Sequence, residues 1–259
     1  MEEGQKPHIS IKAEKIFEIF GLSITNSFLL SFIVFLIFTL GALIYYYQSK
    51  SKNKSSFYYF INFIVKSLYD LFYSVLKEKT DYFFPLLASF FIFILLQNWS
   101  GLLPGVGSLL IKVKEHGELI SAPLFRANTA DLNTTLALAI ISVFLSQFFA
   151  IKYLGFKAYV AKFYRLKEPV SFFIGTLEII SEFSKVISFA FRLFGNVFAG
   201  KVLLTIIASL IPVLASFPFL VLELFVGFIQ ALVFSMLTTV FISVSIAKHH
   251  LEGGDKNDS

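Results

Sequence analysis

The stretch SKVISFAFRLFGNVFAGKVLL, residues 184–204, places one arginine in the middle of an apolar run. Arg192 is the only charged residue between Lys185 and Lys201. A charged side chain inside hydrocarbon is costly, and where proteins carry one it usually has a function. If the residues around it form a membrane helix, Arg192 is therefore the first candidate functional residue of the chain.

The composition of the whole chain supports a membrane location. Of its 259 residues 56% are hydrophobic and 15% are charged, which leaves too little polar surface for one soluble domain. A membrane-spanning helix needs about 20 apolar residues, and only closed hydrogen-bonded structures are stable in lipid. We predict an all-α integral membrane protein with about five crossings, because five charge-free runs are long enough: 19–49, 82–111, 132–151, 202–222 and 224–247.

The distribution of basic residues predicts the orientation. Lysines 50, 52 and 54 follow the first run, and a loop with five basic residues precedes Pro169. Basic loops face the cytoplasm in most membrane proteins. We therefore expect the N-terminus outside and the C-terminus inside a bacterial inner membrane. The chain has no cysteine, and its four histidines lie in tails or loops without partner ligands, so we predict no metal site and no cofactor.

The same pattern divides the chain into segments. An aromatic-rich stretch interrupted by Lys66 and Asp70 predicts a helix lying along the membrane surface, although a soluble amphipathic helix fits the pattern equally well. The predicted segments are an outer tail (1–23), a first transmembrane helix (24–48), a cytoplasmic loop with the interfacial helix (49–81), a transmembrane pair with an outer loop at 104–130 (82–167), a long helix hairpin (168–248) and a disordered cytoplasmic tail (249–259).

Two unusually long helices are predicted at the C-terminal end. No proline occurs between Pro169 and Pro212, so one helix of about 40 residues, roughly 60 Å long, can form there. This is about twice the hydrocarbon thickness, so the helix must be tilted or extend outside the membrane. A second helix is expected from about Pro218 to Lys248.

Both helices carry a polar stripe. At about 100° per residue, seven polar residues of the first helix fall within roughly 120°: Glu178, Ser181, Glu182, Lys185, Ser188, Arg192 and Asn196. The second helix has a sparser stripe made of Glu223, Gly227, Gln230, Thr238 and Ser245. Polar stripes in membrane helices commonly line a water-filled path, and these two could pass protons. Hydrogen bonds between helices are the alternative for the last three residues.

Arg192 itself is unsuited to carrying protons, because a guanidinium stays protonated under nearly all conditions. It can instead repel a proton and hold a carboxylate. No acidic residue lies within one helical turn of it, so we expect its partner anion to come from another subunit.

The residues around Arg192 resemble a known family. FRLFGNVFAGKVLL is similar to the motif of subunit a of F-type ATP synthases, in which an arginine precedes Leu-Phe-Gly-Asn and Ala-Gly follows. The resemblance covers about residues 80–250, and three further segments match in the right order: TADLNTTLAL, LEIISEFSKVISFAFRL and LFVGFIQALVFSMLTTVFISVSIA.

This resemblance implies a function. The chain would be a non-catalytic stator subunit whose last two helices form a tilted hairpin against a rotating c-ring, with two offset half-channels that couple ion flow, of protons by expectation, to ATP synthesis. Its partners would be the c-ring, the peripheral-stalk subunit b, the soluble catalytic head and the lipid bilayer, with no role for nucleic acid.

The resemblance also implies roles for individual residues. Arg192 would be the essential arginine, Asn196 and Gln230 would lie near it, and Glu178, Ser181 and Ser188 would belong to the cytoplasmic half-channel. Asp131 would be an acid at the outer mouth, although a helix cap is its simpler interpretation. Lys201 and Glu223 depart from the best-known bacterial pattern, in which a glutamate and a histidine stand there. A Lys201–Glu223 ion pair is a hypothesis that would make Glu223 a poorer relay.

Three other interpretations are open to the sequence. A secondary transporter for an anionic solute would use Arg192 as a substrate clamp, but it predicts inverted repeats and broken helices that the sequence does not show. A structural scaffold would not depend on the guanidinium geometry of Arg192. A membrane enzyme is the weakest alternative, because no nucleophile with a neighbouring base can be assembled.

Overall fold

The computed structural model describes residues 13–19, 22–103, 105–106, 109–115, 118–163, 169–210 and 216–247. The four histidines and the predicted tail 249–259 lie outside the described residues. Five of the described helical segments are long and apolar enough to cross a membrane, so the chain is a multi-pass, predominantly α-helical membrane protein, as the sequence predicts.

A short β-hairpin, which was not predicted, precedes the first helix of the described residues. Strands β1 (Lys15–Ile19) and β2 (Leu22–Thr25) pair antiparallel. Helix α1 (Asn26–Lys50) follows without a linker, because the Thr25 side chain accepts a hydrogen bond from the Phe28 amide and caps the helix. The hairpin is therefore fixed to the start of the first membrane helix.

The next two helices are joined by a tight turn. Helix α2 (Ser56–Leu76) has one apolar face. It covers the aromatic-rich stretch with Lys66 and Asp70 for which a surface helix is predicted. A 3₁₀ turn at Lys77–Lys79, in which Lys77 has a φ of 50°, leads into α3 (Thr80–Ser100). Helix α3 begins two residues before the predicted start of the second crossing at Tyr82, and it ends three residues before Leu103, after which the outer loop is predicted.

The predicted polar loop at 104–130 contains a second hairpin. Strands β3 (Leu110–Glu115) and β4 (Glu118–Pro123) pair antiparallel and precede a 3₁₀ turn at Asn128–Ala130. Helix α4 (Leu132–Leu154) begins at Asp131, whose carboxylate accepts a hydrogen bond from the Asn133 amide at 3.1 Å. The capping interpretation of Asp131 is confirmed.

The two long helices form as predicted. A short helix α5 (Phe156–Phe163), which was not predicted, lies in the basic loop before them. Helix α6 (Pro169–Leu210) has 42 residues and α7 (Ser216–Ala247) has 32. Pro169 opens α6, where its fixed φ is favourable and its missing amide hydrogen costs nothing.

Helix α7 lies at the centre of the bundle and packs against α2, α3, α4 and α6. The core between these helices is built from aromatic and small residues. Phe234 of α7 packs on Phe189 of α6 and Phe90 of α3, with ring centroids 4.9 and 5.7 Å apart. Ala190 of α6 and Ala231 of α7 are completely buried in the same core.

Candidate functional site

The side of α6 that faces the bundle is apolar, and its polar residues near Arg192 face outward. Phe189, Ala190 and Leu193 are at most 3% exposed. Ser181, Ser188, Arg192 and Asn196 are all exposed. The part of the predicted polar stripe around Arg192 thus lies on an open surface of this chain rather than in an enclosed channel.

Arg192 has an incomplete set of partners within the chain. Its Nη2 donates a hydrogen bond to the Ser188 Oγ at 3.3 Å, one helical turn away. Among the described residues no carboxylate forms an ion pair with it. Since a guanidinium has five N–H donors, most of its hydrogen-bonding capacity is available to a group outside the chain.

Gln230 lies beside the arginine on the neighbouring helix. Arg192 and Gln230 line the same small cleft between α6 and α7, whose other walls are Phe189, Leu193, Phe234 and Leu237. The aromatic contact between Phe189 and Phe234 fixes the two helices at this level. The amide of Gln230 is therefore available to any group that binds Arg192.

A first polar cluster lies towards the N-terminal end of α6. We call it the α5-side cluster: Gln147, Tyr159, Glu182 and Lys185. Gln147 bridges the other members, because its amide nitrogen donates to Glu182 and its oxygen accepts from Tyr159 at 2.9 Å. Lys185 pairs with Glu182 at 2.7 Å. Burial raises the pKa of Tyr159, and the carboxylates of Glu182 and Glu178 raise it further, so Tyr159 stays neutral and Glu178 is placed nearby.

A second polar cluster lies next to the two β-hairpins, between the residue that precedes β1 and the end of β4. We call it the hairpin-side cluster: Glu14, Asn26, Arg126 and Asp131, each less than 9% exposed. The Asn26 amide donates to the Glu14 carboxylate at 2.5 Å and to the Pro123 carbonyl at 3.0 Å. Arg126 lies 3.8 Å from Glu14 and donates to the Ala130 carbonyl. Burial lowers the pKa of Arg126, and the carboxylates of Glu14 and Asp131 oppose this effect.

Glu223 of α7 lies against the backbone of α6 at Gly200. A Cβ atom at residue 200 would overlap its carboxylate group, so the glycine makes room for it. The hypothesis of a Lys201–Glu223 ion pair is not supported, because no such pair forms among the described residues. Lys201 lies instead within electrostatic range of Arg126 and Glu14. The pair does not form because Glu223 lies against Gly200, and the side chain of the next residue, Lys201, points about 100° away around the helix.

Two members of the predicted α7 stripe pack against other helices instead. Thr238 is fully buried and shares a hydrogen bond of 2.7 Å with Ser142 of α4. Gly227 allows close approach of α3, where the Asn98 amide donates to its carbonyl at 2.9 Å. For Thr238 the interpretation as a helix-to-helix hydrogen bond is therefore correct.

Sequence reasoning missed several polar residues of both clusters: Glu14, Asn26, Arg126, Gln147 and Tyr159. Arg126 stands only five residues before the quoted cap Asp131, and its position in a short loop between two apolar runs was the one available signal. The others belong to segments distant in sequence, and only the tertiary fold brings them together.

The two clusters are separated along α6 by Arg192. At 1.5 Å per residue, Glu182 of the α5-side cluster lies about 15 Å along the axis on one side of the arginine, and Val197, which packs beside the loop of Arg126, lies about 8 Å on the other. Each cluster is built of side chains that donate and accept hydrogen bonds, whereas the residue between them is a permanent cation. The geometry suits two separate polar paths with an electrostatic barrier between them.

Comparison with known proteins identifies the family to which the chain is similar. Residues 28–243 match the family model described as ATP synthase A chain. The chloroplastic ATP synthase subunit a of Bigelowiella natans is 32% identical over 90% of this chain and 89% of its own length. ATP synthase subunit a of Moorella thermoacetica is 32% identical, covering 72% and 77% of the two chains, and that of Legionella pneumophila strain Philadelphia 1 is 28% identical, covering 97% and 96%.

Neither the match nor the geometry supports the secondary-transporter alternative. The described part of α6 runs unbroken past Arg192, whereas a substrate clamp of that type expects a helix broken near the membrane midplane. The matched region includes every helix from α1 to α7, so the relationship extends well beyond the arginine motif. This chain belongs to the ATP synthase A chain family, the membrane subunit a of F-type ATP synthases.

Proposed function

We propose that this chain is the ion-translocating stator subunit of its ATP synthase, that the ion is a proton, and that Arg192 faces a carboxylate on a rotating ring of small subunits. Membership in the ATP synthase complex follows from the family. The finer assignment is supported by one observation above all, which is the exposed arginine on a membrane helix with no carboxylate partner in the described chain.

The energetic argument for a partner is direct. An arginine exposed to hydrocarbon costs several kcal/mol, and pairing with a carboxylate is the usual way in which proteins offset this cost. The exposed polar face formed by Ser188, Arg192 and Asn196 gives such a carboxylate a place to approach. Gln230 completes this site from α7.

The two polar clusters would then serve as parts of the half-channels. On the cytoplasmic side, Glu178, Ser181 and Ser188 lead from the α5-side cluster towards Arg192. On the outer side, Asp131 and Glu223 connect the hairpin-side cluster to the ring. A proton that enters on one side must ride the ring to leave on the other, because Arg192 repels it on the direct path. The membrane potential supplies about 2.3 kcal/mol per charge per 100 mV.

The proposal carries further assignments. The chain itself would be non-catalytic, since ATP chemistry would belong to the soluble head, and the peripheral-stalk subunit b would hold it against rotation. It would reside in a bacterial inner membrane with its N-terminus outside and its C-terminus in the cytoplasm. The relatives in Moorella and Legionella support a bacterial setting, and the relative in Bigelowiella is chloroplastic.

Disulfide cross-linking tests the proposed ring contact. The chain has no native cysteine, so single cysteines can be introduced cleanly. Ala199 is exposed and lies about 20° from Arg192 on the helical wheel, and Ala42 of α1 is an equally exposed alanine on a distant helix. A second cysteine is introduced in the ring subunit, beside its carboxylate. We expect Ala199→Cys to form a disulfide cross-link to that cysteine and Ala42→Cys to form none. Cross-linking from Ala42 alone would contradict the proposal.

A further inference from the structure

The α5-side cluster contains an ion pair of α6 that is held by contacts from other helices. Lys185 and Glu182 have their charged atoms 2.7 Å apart, and only 25% and 15% of their side chains are exposed. The second oxygen of the Glu182 carboxylate accepts a hydrogen bond from Gln147 of α4. The Gln147 side-chain oxygen in turn accepts from the Tyr159 hydroxyl of α5 at 2.9 Å. The Lys185 ammonium also lies 4.8 Å from the centre of the Phe241 ring of α7.

These contacts distinguish the pair from an ordinary ion pair on a helix surface. An exposed glutamate and lysine three residues apart are flexible and interact weakly. Here both oxygens of the Glu182 carboxylate have a donor, and the Lys185 ammonium has an aromatic ring as a second partner. The negative charge is therefore fixed beside the positive one, so the two charges largely cancel at a distance.

The ion pair lies on the proposed cytoplasmic path. Lys185 follows Ser181 by four residues and precedes Ser188 by three, so these three side chains share one face of α6. Arg192 comes seven residues after Lys185, about 10 Å further along the axis. A proton that moves from Ser181 to Ser188 must therefore pass Lys185 before it reaches Arg192. An uncompensated ammonium at this point would repel the proton.

We propose that Glu182 is the fixed counterion that cancels the charge of Lys185 on the cytoplasmic path, and that Gln147 and Tyr159 are positioning residues that hold its carboxylate in place. The barrier to protons then lies at Arg192 and not two helical turns before it. The inference rests on the proposed function, since it concerns the cytoplasmic half-channel. It assigns Glu182 a fixed charge rather than a part in carrying protons, and it gives the short helix α5 a role in translocation.

A charge-rescue series tests the role of Glu182. ATP-driven acidification is measured in inverted vesicles that hold the whole complex, normalised to assembled subunit, for wild type, Glu182→Gln, and Glu182→Gln combined with Lys185→Gln or with Lys185→Arg. We expect Glu182→Gln to lower pumping about tenfold, because it leaves an uncompensated ammonium on the path. Adding Lys185→Gln should restore most of the rate, whereas adding Lys185→Arg, which keeps the charge, should not. Glu78→Gln is the matched control, because Glu78 is exposed in the 3₁₀ turn before α3.

A milder variant tests the positioning residues. Tyr159→Phe removes only the hydroxyl that donates to Gln147, and it leaves every residue of α6 unchanged. We expect it to lower pumping about twofold in the wild-type background, the effect of one lost hydrogen bond, and to have no effect when Glu182→Gln and Lys185→Gln are both present. The same factor in both backgrounds would show that the tyrosine only stabilises the fold, and the positioning role would be wrong.

The series separates this inference from other roles of Glu182. If the carboxylate itself carries protons, or only stabilises the helices, adding Lys185→Gln does not restore pumping, and the inference is wrong. Equal recovery with Lys185→Gln and Lys185→Arg overturns it as well, and so does wild-type pumping in Glu182→Gln. In each of these cases the proposed function stands, whereas wild-type vesicles that pump neither protons nor sodium would contradict the proposed function.

Discussion

Glu223 can lie against α6 only because residue 200 has no side chain. The carboxylate occupies the position that a Cβ at residue 200 would take. The sequence identified Glu223 by its place in the polar stripe, but it could not predict the contact, which depends on the relative rotation of α6 and α7. The proximity of Arg192 and Gln230, by contrast, could be predicted from the family resemblance.

A glycine substitution tests this contact. In Gly200→Ala the new methyl group would take the space of the Glu223 carboxylate, which lies at the end of a flexible side chain and can move away at little cost in stability. We expect ATP-driven pumping to fall several-fold while the subunit still assembles. Gly195→Ala is the matched control, because its Cβ would meet no atom within 4 Å. Equal pumping in the two variants would show that the position of Glu223 is unimportant.

At the scale of the helices, hydrogen bonds between buried hydroxyl groups stabilise the bundle. Ser142 of α4 and Thr238 of α7 are paired at 2.7 Å. Such pairs in membrane proteins contribute about 0.6 kcal/mol on average. We expect a cycle of Ser142→Ala and Thr238→Val to give a coupling energy of about that size in the free energy of unfolding in mixed micelles.

The control for this cycle uses Ser146, one turn further along α4, and Thr239, the next residue of α7. Ser146 and Thr239 are also buried, but each donates to a carbonyl of its own helix, at 2.7 Å in both cases. The cycle of Ser146→Ala and Thr239→Val should therefore show no coupling. A coupling as large as that of the first pair would mean that the measurement reports general packing rather than a hydrogen bond.

The elements differ in how well they could be predicted. The long helix α6 follows from the absence of proline between residues 169 and 212, and the crossings follow from charge-free runs. The two β-hairpins were missed because their strands have only four to six residues, too few for an alternating pattern to be distinguished. The polar clusters could not be predicted, because Glu14 and Arg126 are 112 residues apart in the chain.

For the whole molecule, five segments that each cross the membrane once would place the two hairpins on one side and the basic loops on the other. Lys112 of β3 and Lys52 of the loop between α1 and α2 are both exposed, so they offer matched lysine positions. In intact cells with a permeabilised outer layer, we expect a membrane-impermeant maleimide to label Lys112→Cys and to leave Lys52→Cys unlabelled. Inverted vesicles should give the opposite result, and labelling of both positions from one side would contradict the topology.

The arrangement of the whole molecule rests on Arg192 as a barrier and a carboxylate-binding group, and one measurement tests this most directly. It is ATP-driven acidification of inverted vesicles from wild type, Arg192→Lys and Arg192→Ala, at matched amounts of assembled complex with ATPase heads bound. We expect pumping to be lost in both variants, because lysine keeps the charge but not the planar guanidinium that binds a carboxylate through two hydrogen bonds. Unimpaired pumping in both variants would contradict the account and favour a structural scaffold.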